Sequence, residues 1–127
     1  MSNQALNPNK KYDLEERTAI YGEQVIKFLK TINLNTINRP IISQVIRSTT
    51  SIGANYYEAD GAESKKDFQH KIGICKKECK ETKYWFRMLA SRNSETKEDC
   101  RKFWKEAQGL TLIFSKILNN SKSSNRN

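Results

Sequence analysis

Four stretches of this chain place an apolar or small residue at alternating steps of four and three, and nothing else in the sequence limits the fold so strongly. The first runs Leu14, Thr18, Tyr21, Val25, Phe28, Ile32; the second Ile42, Val45, Thr49, Ile52, Tyr56, Ala59. The third runs Phe68, Ile72, Cys75, Cys79, Thr82, Phe86, Leu89; the fourth Thr96, Cys100, Phe103, Ala107, Leu110, Phe114, Ile117. A mean step of 3.5 keeps one stripe of an α-helix facing its neighbours, whereas a strand would alternate every second residue. No convincing strand alternation occurs between the ladders.

Local signals mark the ends of these helices. Asp13 is placed to cap the first, with Glu15 and Glu16 in the turn where the dipole favours acids. Pro40 fits the first position of the second helix, which ends near Gly61. Ser64 and Asp67 form an S-x-x-D capping signal for the third, and the fourth starts near Ser94 with Glu95, Glu98 and Asp99 following. Thr49, Thr50 and Ser51 lower the intrinsic helicity of the second helix, so packing must hold it. Helices of this length joined by short connections run antiparallel to their chain neighbours. The expected fold is all-α, an antiparallel up-down-up-down four-helix bundle over residues 12–118. Polar segments at 1–11 and 119–127 are expected to be disordered tails.

The charge is unevenly distributed. The chain of 127 residues carries +9, yet residues 1–64 hold seven basic and seven acidic side chains and sum to zero. Residues 65–105 hold thirteen Lys and Arg against six Asp and Glu. One flank of the third ladder carries Lys76, Lys80, Lys83 and Arg87, a stripe of ~16 Å at 1.5 Å per residue. The fourth helix adds Lys97, Arg101, Lys102 and Lys105. Because the two helices are neighbours, these clusters can merge into one surface suited to phosphate contact. Dipole compensation near a helix C-terminus would account for Lys83 and Arg87, but poorly for Lys76.

The opposite flank of the third helix carries Ile74, Glu78, Glu81 and Trp85. With the turn between the second and third helices centred near residues 62–63, Arg47 falls level with Glu78. Glu58 falls level with Asp67, and Asn55 with Lys71. These are expected structural polar positions, with Arg47 forming a partly buried ion pair with Glu78 or Glu81. By the same arithmetic Gly53 lies level with Gly73 and within a turn of Gly22, which would make a layer of close backbone approach. Ile74, Trp85 and Trp104 lie off the core ladders, surplus apolar surface of the kind that marks a subunit interface.

No catalytic constellation is visible. A di-iron bundle would need two Glu-x-x-His motifs, and the chain has one histidine, His70, on the exposed side of its helix by periodicity. Cys75 and Cys79 sit on adjacent rungs of one ladder and Cys100 on the next helix, as small core residues rather than zinc ligands. Ser94-Glu95-Thr96-Lys97 matches S-x-x-K without its partner motifs, and there is no Gly-rich phosphate loop. No cofactor or metal is expected. No apolar run approaches the ~20 residues of a membrane span. The N-terminus has no apolar core of a signal peptide, and the odd cysteine count fits the cytosol.

The segment Arg47-Ser48 followed by Ser51-Ile52-Gly53-Ala54-Asn55-Tyr56-Tyr57-Glu58-Ala59 resembles the second-helix signature of the bacterial four helix bundle protein family, also called the 23S rRNA intervening-sequence protein family. Ser64-Lys65-Lys66-Asp67-Phe68 and Lys77-Glu78-Cys79-Lys80-Glu81-Thr82-Lys83-Tyr84-Trp85 resemble it too, in order and at family spacing, from about Leu14 to Leu118. Cys79 departs from the small residue expected there, and the fourth helix carries the least signature. The resemblance implies an antiparallel bundle that assembles as a ring-like homopentamer, with no enzymatic activity. It also extends to accessory proteins of diversity-generating retroelements, basic pentamers that bind nucleic acid and a reverse transcriptase. The functional expectation is therefore nucleic-acid binding, RNA ahead of DNA, with retroelement adaptor as the alternative.

Overall fold

The computed structural model describes residues 13–91 and 94–125. They form α1 (Asp13–Leu29), α2 (Asn38–Asp60), α3 (Lys65–Ser91) and α4 (Ser94–Asn125), with no strand among the described residues. The segment 1–11, expected as an N-terminal tail, lies outside them.

Pairs of contacts fix the directions. Arg47 of α2 meets Glu78 and Glu81 of α3, while Glu58, later in α2, meets Lys71, earlier in α3. Gln69 of α3 meets Ser121 of α4, and Lys83 meets Gln108. Gly53 approaches Thr18, and Gly22 approaches Thr49. Arg17 meets Glu106, and Tyr21 meets Phe103. In each case one residue number rises as its partner's falls, so consecutive helices run antiparallel and α1 closes the bundle against α4. α3 packs extensively on both α2 and α4, whereas α1 touches α4 more thinly.

Every ladder position from the sequence faces inward. Val25, Val45, Ile52, Ile72, Leu89 and Leu110 are fully buried, as are Phe86 and Phe114 to within a percent. Burial of each such side chain is worth ~1.5–3 kcal/mol. An aromatic cluster ties three helices together. Phe86 stacks on Phe103 at 5.5 Å between ring centres, and Phe28 and Tyr21 tilt against the same ring at 5.4 and 6.1 Å. The Tyr21 hydroxyl donates to the Phe103 carbonyl at 2.7 Å, so the one polar atom of that cluster is paired where it is buried.

The hydroxyls of α2 are accommodated locally. Thr49 and Thr50 donate to the carbonyls four residues back, Val45 and Ile46, at 2.8 and 2.7 Å. Thr49 thus enters the core without an orphaned group.

Three boundaries differ from the sequence expectation. α1 ends at Leu29 rather than reaching Ile32, with a tightened turn in which the Thr31 and Ile32 amides donate to Phe28 and Leu29 carbonyls. α2 begins at Asn38, two residues before Pro40, which the first turn tolerates because its amides lack intrahelical acceptors. The start is set by two asparagines: Asn35 Oδ1 accepts from the Asn38 amide, and Asn38 Oδ1 from the Asn35 amide, both at 2.8 Å. Finally, α4 runs to Asn125, through the segment expected as a C-terminal tail from residue 119. Extending an existing helix needs no new nucleus, Ser121 accepts from Gln69 Nε2 at 3.0 Å, and Lys122 complements the dipole in the last turn.

The glycine layer is also corrected. A Cβ on Gly53 would stand 3.3 Å from Thr18 Oγ1, so its close neighbour is α1; a Cβ on Gly73 would meet nothing within 4 Å. Gly53 makes room for α1, and Gly73 has no such role.

Candidate nucleic-acid interface

The antiparallel run of α3 and α4 brings the end of one basic flank beside the start of the other. An open groove of about 340 Å³ lies between them. Its rim is Arg87 from α3 and Lys97, Arg101 and Lys105 from α4. Its floor is Phe86, Ala90, Cys100 and Trp104. The four rim residues are exposed, and none makes an ion pair among the described residues. No carboxylate among the described residues lines the groove.

Lys83 stands beside this site without lining it. Its Nζ donates to Gln108 Oε1 at 2.5 Å and lies 5.4 Å from the centre of the Trp104 ring. The ammonium thus braces the indole through a cation–π contact. Lys80 is exposed and Lys76 half-buried, one and two turns farther toward the start of α3. They prolong the stripe away from the groove.

The absence of acids at the groove has a structural origin. Three carboxylates of α3 and α4, Glu78, Glu81 and Glu106, are engaged on other faces by arginines from the electrically neutral half of the chain. Arg17 of α1 holds Glu106 with two parallel bonds, Nε to Oε2 at 2.7 Å and Nη2 to Oε1 at 2.9 Å. Arg47 of α2 reaches Glu78 Oε1 at 3.2 Å and also holds Glu81. Trp85 Nε1 donates to the same Glu81 oxygen at 3.2 Å. Burial pushes the Glu81 carboxyl up, but hydrogen bonds from Trp85 and Arg47 outweigh it and hold it below the usual carboxylate range. Glu95 and Asp99 line a different hollow of about 430 Å³ against the α1–α2 connection, with Phe28 and Asn33.

The remaining expected positions fall as follows. Glu58 pairs with Lys71 at 2.7 Å, one turn from its expected level at Asp67. Asn55, expected level with Lys71, donates to the Ser51 carbonyl at 2.8 Å within its own helix, while Lys71 is taken by Glu58. Ile74 is half-buried, and Trp85 packs half-buried against the core with its ring edge-on to Tyr84. Trp104 retains 38% exposure, but in the basic groove rather than on a purely apolar flank. Larger apolar exposure falls on Tyr57, Leu112 and Tyr84, which the sequence reading did not single out. The Arg17–Glu106 pair was missed as well, because no short turn sets the register of α1 against α4.

The three cysteines are free and buried. Burial pushes the Cys75 thiol up to about 12 and that of Cys100 to about 11, and raises Cys79 further. Such thiols are poor nucleophiles at neutral pH. His70 is exposed, and no cluster of three or more His, Cys, Asp or Glu among the described residues is arranged to hold a metal. No helix of the described residues is long and apolar enough to cross a membrane.

Comparison with known proteins agrees with this architecture. A crystal structure of a protein of unknown function from the S23 ribosomal protein family of Bacteroides thetaiotaomicron superposes with a TM-score of 0.71 at 27% identity, covering 82% of this chain and 96% of that one. No curated protein matches the chain. The family model described as 23S rRNA-intervening sequence protein matches residues 11–119, nearly the whole bundle, and the chain belongs to that family.

Proposed function

We propose that this protein is a non-enzymatic, cytosolic nucleic-acid-binding bundle that engages RNA through phosphate contacts at the α3–α4 groove. The observation that carries the reading is the unpaired rim of Arg87, Lys97, Arg101 and Lys105 around a groove that no acid lines among the described residues. Cations left without partners, on a protein whose Arg17 and Arg47 are held in ion pairs, are available to an anionic ligand. The family's description, which ties it to intervening sequences of 23S rRNA, favours RNA as that ligand. The bundle self-associates through its exposed apolar side chains, in the ring of five that the family resemblance implies, so each assembly would repeat the groove. The reading calls for no cofactor or metal.

The test is a salt series with RNA, single-stranded DNA and duplex DNA, on protein whose mass in solution is measured in the same buffer. Four phosphate contacts on a single strand give a slope of log affinity against log salt of about −3. The combined variant Arg87→Glu, Arg101→Glu, Lys105→Glu is expected to lose binding while retaining its helical circular dichroism. Undiminished binding by that variant would remove the groove from the function. Lys76→Glu with Lys80→Glu is expected to weaken binding much less.

A further inference from the structure

We propose that the α3–α4 groove is a seat for an unpaired base, stacked on Trp104 with its flanking phosphates held by the rim, and that the protein therefore selects single-stranded over double-stranded RNA. The inference rests on the nucleic-acid reading above and adds to it the form of nucleic acid recognised.

A site built for phosphates alone needs cations on a convex or flat surface. Here the cations surround an apolar floor. Trp104 is 38% exposed, a large value for an indole flanked by core residues on its own helix, and it opens into a groove at the small end of the ~300–1,000 Å³ range of pockets that hold one small group. Lys83, anchored by Gln108, holds the indole in place from outside the groove. A preorganised ring costs less to stack upon than a freely rotating one. Arg87 and Arg101 add two planar guanidiniums, which stack on bases as well as pairing with phosphate. Lys97, Arg101 and Lys105 follow one another every four residues, a step of ~6 Å along the helix. That is of the order of the phosphate step in an extended strand.

A duplex cannot use this floor. Its base faces are occupied by stacking, and a groove between two packed helices, whose axes stand ~8–10 Å apart, is too narrow to admit it. A duplex could touch only the rim. An unpaired strand can do both, combining a charged track with an aromatic platform, as single-strand binders do.

The experiment uses the full chain carrying Trp85→Phe, so that Trp104 is the only tryptophan. The probes are a short unstructured oligoadenylate and the same strand annealed to its complement. The single strand is expected to quench Trp104 emission saturably, and the duplex to leave it nearly unchanged. Trp104→Leu, titrated like the parent by the fluorescence anisotropy of a dye-labelled strand, is expected to weaken single-strand binding about tenfold, within the usual contribution of one stacked base, with a much smaller loss on duplex. Trp104→Phe, which keeps a ring, should retain most of the affinity, and thermal melts confirm that both variants fold. Equal single-strand affinity in Trp104→Leu and the parent would overturn the base seat. So would a Trp104→Leu variant whose only change is its mass in solution, since that would place the indole in a subunit contact. If the Arg87, Arg101 and Lys105 reversals still weaken binding in that event, the phosphate reading stands and only the stacking falls. If neither probe binds at all, both fall.

Discussion

Two glycines inside helices give a quantitative test of how the bundle is assembled. Gly53 in α2 and Gly73 in α3 each cost their helix ~1 kcal/mol relative to alanine. The substitution Gly73→Ala should recover most of that, because the new methyl meets nothing within 4 Å. At Gly53 the same methyl would lie 3.3 Å from Thr18 Oγ1, 3.5 Å from the Thr18 carbonyl oxygen and 3.6 Å from its carbon. Thr18 is only 1% exposed, and its hydroxyl is tied to the Glu15 carbonyl at 3.0 Å. It cannot swing aside without giving up that bond, and behind it stands the α1 backbone. Overpacking of this kind costs ~1–3 kcal/mol, which cancels or exceeds the propensity gain. The two variants should therefore differ by ~1–3 kcal/mol, with Gly73→Ala above wild type and Gly53→Ala at or below it. For a domain of this size the separation is roughly 3–10 °C in melting temperature. Urea unfolding followed by circular dichroism at one protein concentration measures it, and unchanged m-values would show that the denatured state is not responsible. Gly53→Ala should become less costly in a Thr18→Ala background, where the closest contact is gone. If Gly53→Ala instead stabilises as much as Gly73→Ala, the close approach of α1 to α2 is not what keeps a glycine there.

Two further perturbations probe the polar faces. Arg47→Met strands Glu78, whose side chain is 11% exposed, and should cost ~2 kcal/mol, between the limits for exposed and buried pairs; adding Glu78→Gln should restore much of it in the same urea assay, and no loss on Arg47→Met would refute the pairing. Glu81 sits below the usual carboxylate range partly through Arg47, so that contribution is present above about pH 4.5 and fades as pH falls; the Arg47→Met deficit should shrink in acid. The buried thiols act at the other end of the scale. Cys75 and Cys100, raised to about 12 and 11, keep their protons in the folded state while those of the unfolded chain ionise above about pH 9, so stability is intact below pH 9 and declines by up to ~1.4 kcal/mol per pH unit per thiol above it. Replacing both with alanine should flatten that decline in a pH series of urea midpoints, and an unchanged slope would refute it.

The bundle was legible because burial imposes its own period on the sequence. A residue at each 3.5-step position faces the core whatever its neighbours are, so even Thr18, Thr49 and Thr82, poor helix formers, marked the inward stripe correctly. The α2–α3 register was legible for a second reason: a short turn lets sequence distance be folded back on itself, and Arg47 does meet Glu78. Where no such turn exists, distance along the chain carries no register. Arg17 and Glu106, 89 residues apart, are an example. The start of α2 was misplaced because Pro40 is a local signal, while the Asn35–Asn38 bracket depends on a buried asparagine that composition does not reveal. The end of α4 was missed because a polar segment looks the same whether it is free or continues a helix already paid for by packing.

The basic groove shows how a modest excess of charge becomes a focused site. The segment 65–105 carries six acids, enough to blunt its thirteen cations if they were interspersed on one surface. Four of those acids are kept out of the groove lining, because helical periodicity sorts side chains by face before any tertiary contact forms. Glu78 and Glu81, and Glu106 just beyond the segment, meet Arg47 and Arg17, which neutralise them; Glu95 and Asp99 line the hollow against the α1–α2 connection; and Arg87, Lys97, Arg101 and Lys105 line the groove. The two arginines therefore have an effect beyond their own pairs. By holding the carboxylates on the far faces they prevent them from reaching back to the groove. Mutual repulsion among the rim cations is weakened by water and by salt, whose screening length of ~8 Å is close to their spacing. The bundle can thus keep them unpaired at small cost to stability, and an anion entering the groove meets a field that the net charge of the chain, taken as an average over its surface, greatly understates.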